Sequence, residues 1–186
     1  MKKSNIYIYI SKTDSYGNGV FAAKHIPEGT LIHELDGDYV TLEGMVERVL
    51  TGGKEINDPL QIGNEKYIIL DDTSRSFNHA CSPNAVICGK SDLISIYDIA
   101  AGEEITYDYS LTVAPTDWHM DCLCGSASCR KVASDVSSVP KALLQGYFDA
   151  GLLQDYMRDI VPDILAGSYV IPQFEIDALN RLASPE

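Results

Sequence analysis

One ten-residue stretch, Arg75-Ser76-Phe77-Asn78-His79-Ala80-Cys81-Ser82-Pro83-Asn84, constrains this chain more than any other. It sets an amide, an imidazole and a thiol within four residues, and Ser82-Pro83 then stops any helix. Three distant segments make sense only if they fold back onto it. They are Gly17-Asn18-Gly19, the run Gly-Glu-Glu-Ile-Thr-Tyr-Asp-Tyr from Gly102 to Tyr109, and Cys122-x-Cys124-x4-Cys129. The last puts three thiols on one short, glycine-containing loop. A structural zinc takes four ligands in a tetrahedron, and Cys81 is the natural fourth, which leaves Cys88 as a buried strand thiol. Five cysteines is an odd count, so metal binding fits better than a disulfide framework. His119, alone in a loop, reads as solvated.

Taken in order, the chain predicts a β core followed by helices. Residues 5–10 alternate Ile and Tyr, a strand with one apolar face. Ser15 to Gly19 is a turn, Val20–Ala23 resumes extended structure, Ile26–Gly29 turns, and Thr30–Leu35 is a strand ended by a turn at Asp36-Gly37. Leu42 to Leu50 is helical and ends at Gly52-Gly53. Short strands follow at Lys66–Leu70, Ala85–Cys88 and Leu93–Ile99, a spacing that suits an all-β core. Beyond residue 133 helices are expected at Pro140–Phe148 and Leu152–Ile160, the second stopped by Pro162. A last one opens at Pro172 with Phe174, Ala178 and Leu182 on one stripe. Those apolar stripes could bury on the core, dock a partner or form a homodimer; burial is the plainest choice.

The 186 residues are enough for a real hydrophobic core. No apolar run approaches a membrane span, and the N-terminus lacks the long apolar region and small-residue cleavage site of a signal peptide. The default expectation is therefore a cytoplasmic protein without membrane association, or one delivered elsewhere, a host nucleus included, without a cleaved signal. The net charge of −13 would repel a phosphate backbone, which argues against direct nucleic-acid binding, and would steer a Lys/Arg-rich partner inward. Acidity that merely keeps a protein soluble is the plainer account.

Several motifs are ambiguous singly. Gly17-Asn18-Gly19 is either a turn or a place where bare backbone meets a ligand. Tyr107 and Tyr109, on one side of an extended segment, either pack as a pair or line a polar-tipped aromatic channel. Asn78 and His79 either satisfy backbone groups at a crowded crossing or bind something.

Together these residues resemble the SET-domain protein lysine methyltransferases. Gly17-Asn18-Gly19 looks like the family's Gly-x-Gly motif, and Arg75–Asn84 like its Arg-Phe-Ile-Asn-His-Ser-Cys-x-Pro-Asn segment. Gly102–Tyr109 matches Gly-Glu-Glu-Leu-Thr-Tyr/Phe-Asp-Tyr, and Cys122–Cys129 looks like the post-SET zinc loop. The likeness covers residues 5–132, and the compact size is most similar to small bacterial or viral members. It implies a mainly β SET-domain (β-clip) fold, small curved sheets around a pseudoknot in which the Tyr109 segment threads beneath the Asn78 segment. Residues 1–113 would be the SET core, 114–132 the zinc loop and 133–186 a helical C-terminal extension.

The implied activity is methyl transfer from S-adenosylmethionine to a lysine of a basic, histone-like protein, largely mono- or dimethylation. The cofactor would rest on Tyr16, Gly17, Asn18, Gly19, Asn78, His79 and Tyr109, with Leu123 closing over the adenine. Tyr109 would be the catalytic tyrosine and Tyr107 would limit the product. Cys81, Cys122, Cys124 and Cys129 would hold Zn2+. Two positions depart from the family: Leu35-Asp36-Gly37-Asp38 replaces Tyr-x-Gly-Glu, removing a channel aromatic for which Tyr39 could substitute, and Lys131 stands where glycine is usual. The rival reading is a catalytically silent SET module that binds a partner through its cleft and tail.

Overall fold

A computed structural model describes residues 7–13, 17–52 and 59–183. Five small sheets form its β portion. Strands β1 (Ile8–Lys12) and β2 (Asn18–Ala22) make an antiparallel pair. Strand β3 (Leu31–Glu34) passes through Leu35 and Asp36 directly into β4 (Gly37–Thr41), which leads into helix α1 (Leu42–Gly52). The α1 N-terminus is capped where the Gly44 N–H donates to Thr41 Oγ1 at 3.2 Å. Then come β5 (Pro59–Gly63), β6 (Lys66–Leu70), β7 (Asn78–His79), β8 (Ala85–Cys88), β9 (Asp92–Ser95) and β10 (Thr106–Tyr107). A hairpin, β11 (His119–Asp121) with β12 (Val132–Ser134), carries the cysteine loop. Helices α2 (Lys141–Asp149), α3 (Asp155–Ala166) and α4 (Gln173–Ala183) follow.

The three-stranded sheets run β3-β9-β8 and β4-β6-β5, all antiparallel. Their inner faces, with Phe77 and Ile105, enclose the main core of Val20, Ile32, Leu35, Ile68 and Leu93. A second core forms where the 3-10 turn Tyr109–Thr112 meets α2 and α3 through Leu111, Leu144, Met157 and Val161. A third joins α1 and β6 to α4 through Met45, Val46, Ile69 and Ala178. The tail is thus packed on the β portion, as its apolar stripes lead one to expect.

Several local expectations are corrected. Gly37 is no turn: it opens β4 opposite Leu70, and a Cβ there would fall 2.0 Å from the Ile69 carbonyl oxygen, so the glycine serves close strand approach. Pro162 lies inside α3, whose buried Tyr156, Met157 and Val161 outweigh a cost of roughly 3 kcal/mol for an interior proline. The helix instead ends at Gly167, in the left-handed conformation at φ 73°. The strand expected to reach Ile99 stops at Ser95, and Ile99 only bridges to Ile26. In α4 the buried positions are Glu175 and Ala178, with Leu182 half-buried beside them and Phe174 facing out. Residues 5, 6, 15, 16 and 53 lie outside the described residues.

Candidate active site

Two short strands make the centre. β7 and β10 pair in parallel, Thr106 against Asn78 and Tyr107 against His79, so segments 28 residues apart lie side by side. Asn84 braces the crossing: its amide donates to the Glu104 carbonyl (2.8 Å) and its Oδ1 accepts from the Thr106 N–H (3.0 Å). The Asn78 amide donates to the Asn18 carbonyl (3.0 Å) and to Glu104 Oε1 (2.7 Å), joining the Gly17–Gly19 turn to this centre. A Cβ at Gly19 would meet Glu104 Oε1 at 2.4 Å and Thr13 Cγ2 at 2.6 Å, so a side chain there would displace the carboxylate that Asn78 holds. Gly17, at φ +83° with nothing within 4 Å of its Cβ position, leaves the approach to the exposed Asn18 backbone open. That fits a ligand lying on bare main chain. Tyr16, the remaining residue expected there, lies outside the described residues.

The cysteines converge as their spacing requires. Sγ atoms of Cys81, Cys122, Cys124 and Cys129 all lie within 4.8 Å of one another. Cys122 Sγ is 3.7 Å from both Cys81 and Cys129. Zinc–thiolate bonds of about 2.3 Å give tetrahedral S···S edges of about 3.8 Å, so the donor set fits zinc. Cys88 is apart, half-buried in β8, and His119 is exposed with Nδ1 3.0 Å from the Asp117 carbonyl. Burial pushes the Cys122 thiol up to about 12. Burial also raises Cys124, but hydrogen bonds from the Cys81 backbone and from Ser126 bring it down to about 6. Leu123, between two of the thiols, is 63% exposed.

His79 and Arg130 tie this loop to the crossing. The buried His79 ring accepts the Tyr109 N–H at Nδ1 (3.2 Å), leaving the proton on Nε2, 3.4 Å from Cys81 Sγ. Burial lowers its pKa, and the Arg130 charge adds to this against the opposing pull of Asp108. Arg130 grips Asp108 with both Nη atoms, at 2.7 and 2.6 Å, while its backbone N–H donates to Cys81 Sγ (3.4 Å). Asp108 sits between the two tyrosines, so the loop is fastened to the Tyr107–Tyr109 segment itself.

Tyr107 and Tyr109 face a cavity of about 390 Å³. Their ring centroids are 4.8 Å apart, and Tyr109 Oη donates to the Phe77 carbonyl at 2.7 Å. Burial, and then the neighbouring Tyr109, push the Tyr107 hydroxyl well above the usual tyrosine range. Asn78 shares this lining, whereas Gly17, Asn18, Gly19, His79 and Leu123 do not, so the cavity lies to one side of the glycine turn and thiol loop. Among the described residues no carboxylate lines it.

The aromatic expected from Tyr39 comes from elsewhere. Tyr39 is half exposed beneath Lys90 Nζ (4.3 Å) and does not reach the cavity, while Leu35 is wholly buried. Tyr67 of β6 and Trp118, just before β11, line the cavity instead, together with Met45 of α1 and Leu179 and Leu182 of α4. Trp118 is the chain's single tryptophan, close before the cysteine loop, which was the one available sign of it.

Comparison with known proteins agrees with this geometry. The SET domain family matches residues 17–110. Histone-lysine N-methyltransferase 2D of Homo sapiens is 30% identical over 141 residues, covering 69% of this chain and 2% of that protein. The Variant-silencing SET domain-containing protein of Plasmodium falciparum (isolate 3D7) is 32% identical over 137 residues, 64% of this chain and 5% of that protein. The chain therefore spans only a small part of the relatives it matches. The crystal structure of the methyltransferase domain of human Histone-lysine N-methyltransferase SETMAR superposes with a TM-score of 0.59, over 69% of this chain and 58% of that one, at 22% identity. That likeness shows the shared fold. With its glycine turn, Asn78–Cys81 crossing and paired tyrosines inside the matched region, the chain belongs to the SET-domain family.

Proposed function

We propose that this protein is an S-adenosylmethionine-dependent protein-lysine N-methyltransferase acting on a basic, histone-like protein. The observation that carries the reading is the Tyr107–Tyr109 pair on an aromatic cavity that no carboxylate lines among the described residues, beside the glycine turn and thiol loop. Gly17, Asn18, Gly19, Asn78 and His79, with Tyr16 and Leu123, would hold the cofactor. Cys81, Cys122, Cys124 and Cys129 would hold a structural Zn2+ that fixes the loop. Residues 1–113, 114–132 and 133–186 would then serve as catalytic core, zinc loop and helical extension.

Bound S-adenosylmethionine supplies an electrophilic methyl group on a cationic sulfonium. The lysine amine must arrive neutral, although its free pKa is about 10.4, which costs roughly 4–5 kcal/mol at pH 7. The cavity lowers that cost by desolvation, since Tyr67, Tyr107 and Trp118 offer rings and no counter-charge. Its proton leaves to water before transfer, so no protein base is needed. Tyr109 spends its only hydroxyl proton on the Phe77 carbonyl and keeps lone pairs to accept an amine N–H, which aligns the nitrogen. Tyr107 stays a neutral phenol and crowds the amine, which favours one or two methyl groups.

Methylation of a panel of histones and histone-like proteins with labelled cofactor tests this. Activity should fall at least about 100-fold in Tyr109→Phe, as for a lost transition-state hydrogen bond, while calorimetry still detects cofactor binding. A protein that neither binds the cofactor nor labels any lysine would instead be a silent binding module.

A further inference from the structure

One wall of the cavity is partly built by α4, which lies outside the matched region of residues 17–110. Leu179 and Leu182 of this helix face the cavity with Met45 of α1, beside Trp118 and Met120. The helix is fixed there from two sides. Glu175 is 4% exposed and accepts from Gln61 Nε2 of β5 at 3.1 Å, and Ala178 is buried against α1. Arg181 pairs with Glu43 of α1 at 2.7 Å, an exposed contact worth little by itself. The helix is thus a wall of the site and not a detached appendage.

Two features say what fits against that wall. At roughly 30 Å³ per water-sized heavy group, the five heavy atoms of a lysine side chain fill on the order of 150 Å³ of the 390 Å³. Space for a neighbouring side chain remains. Among the described lining residues there is no carboxylate, and the one cation, Arg75, already faces Asp72 Oδ1 at 3.4 Å, so a basic neighbour finds no counter-charge and an acidic or small polar one would leave the Leu179–Leu182 face uncovered. We infer that α4 is a specificity element: it selects a lysine whose adjacent residue is a bulky aliphatic, such as leucine, seated against Leu179 and Leu182. This rests on the transferase reading for the identity of the lysine and adds the residue beside it. The acidic surface then governs attraction of the whole substrate, and α4 governs which of its lysines is chosen.

The test uses the full chain with saturating cofactor and two fluorescent peptides identical except for Leu-Lys-Leu or Ser-Lys-Ser at the target. Anisotropy reads affinity and mass spectrometry reads transfer. The Leu-flanked peptide should bind at least about tenfold more tightly, as expected for burying one leucine. Leu179→Ala should cut that preference below threefold, and Leu179→Met should keep most of it; a thermal melt of each variant verifies folding. Equal affinities, binding of neither peptide, or a preference unchanged by Leu179→Ala would overturn the inference. Leu-selective binding without transfer would uphold the α4 groove and sink the transferase reading. Transfer to both peptides at equal affinity would do the reverse.

Discussion

Lys131 adopts φ 67°, a left-handed backbone in which a side chain costs energy that glycine does not. This is the residue just past the thiol loop where the family carries glycine, so the substitution is read directly as strain. Lys131→Gly should stabilise the protein by about 1 kcal/mol, raising the melting temperature by roughly 2–4 °C for a chain of this size. Differential scanning calorimetry measures it, and an unchanged or lower midpoint would count against the assigned strain. At Tyr107 the prediction concerns product. Removing its hydroxyl in Tyr107→Phe should relieve crowding beside Tyr109 and shift the product distribution toward trimethyllysine, read by mass spectrometry on a single-lysine peptide. A distribution that does not move would refute the product-limiting role.

At the scale of elements, the junction between the thiol loop and the Tyr107–Tyr109 segment rests on Arg130. Its partner Asp108 has a side chain only 1% exposed, so Arg130→Ala leaves a buried carboxylate with its main counter-charge gone. The loss should be about 3 kcal/mol in urea denaturation. Arg130→Lys should recover less than half, because an ammonium cannot reproduce the two-pronged grip; full recovery would show that charge alone suffices. Much of the architecture at this scale was legible beforehand. Lys66–Leu70 and Ala85–Cys88 are strands with the expected bounds, since β-branched and aromatic runs between turn residues leave little choice. The pair β7 and β10 was not, because two-residue strands have no periodicity to read. Asp36-Gly37 carries a hairpin signature but serves a crossing between sheets, and Pro162 is overruled by the apolar face of α3. The convergence of the four cysteines followed from zinc's ligand count. The lining by Tyr67 and Leu179 did not, since nothing local marks which ring or leucine a distant loop will meet.

For the molecule as a whole, the tail and the β portion meet at a carboxylate. Glu175 is surrounded by Gln61 and the phenols of Tyr156, Tyr67 and Tyr169, none of them cationic. Burial raises its pKa above the ordinary 4.5, although hydrogen bonds from Gln61 and Tyr156 hold it back. The native state therefore binds the proton more tightly than the unfolded chain. Its favourable contribution is complete below 4.5 and fades as pH climbs through the raised value. Glu175→Gln should gain on the natural protein as pH rises from 4.5 to 7, by on the order of 1 kcal/mol at the upper end. Melting curves across that range check the sign; a gap that narrows would reverse it.

The meeting of Cys81 with thiols as far along as Cys129 also orders events during synthesis. Until the ribosome has added β10 and then the thiol loop, the nascent polypeptide offers Cys81 without its three partner thiols and half of a two-strand ladder, neither able to stand alone. With zinc as the proposed bridge between these thiols, a cell starved of it would be expected to hold a full-length but protease-sensitive chain whose Cys81–Cys129 junction has not closed.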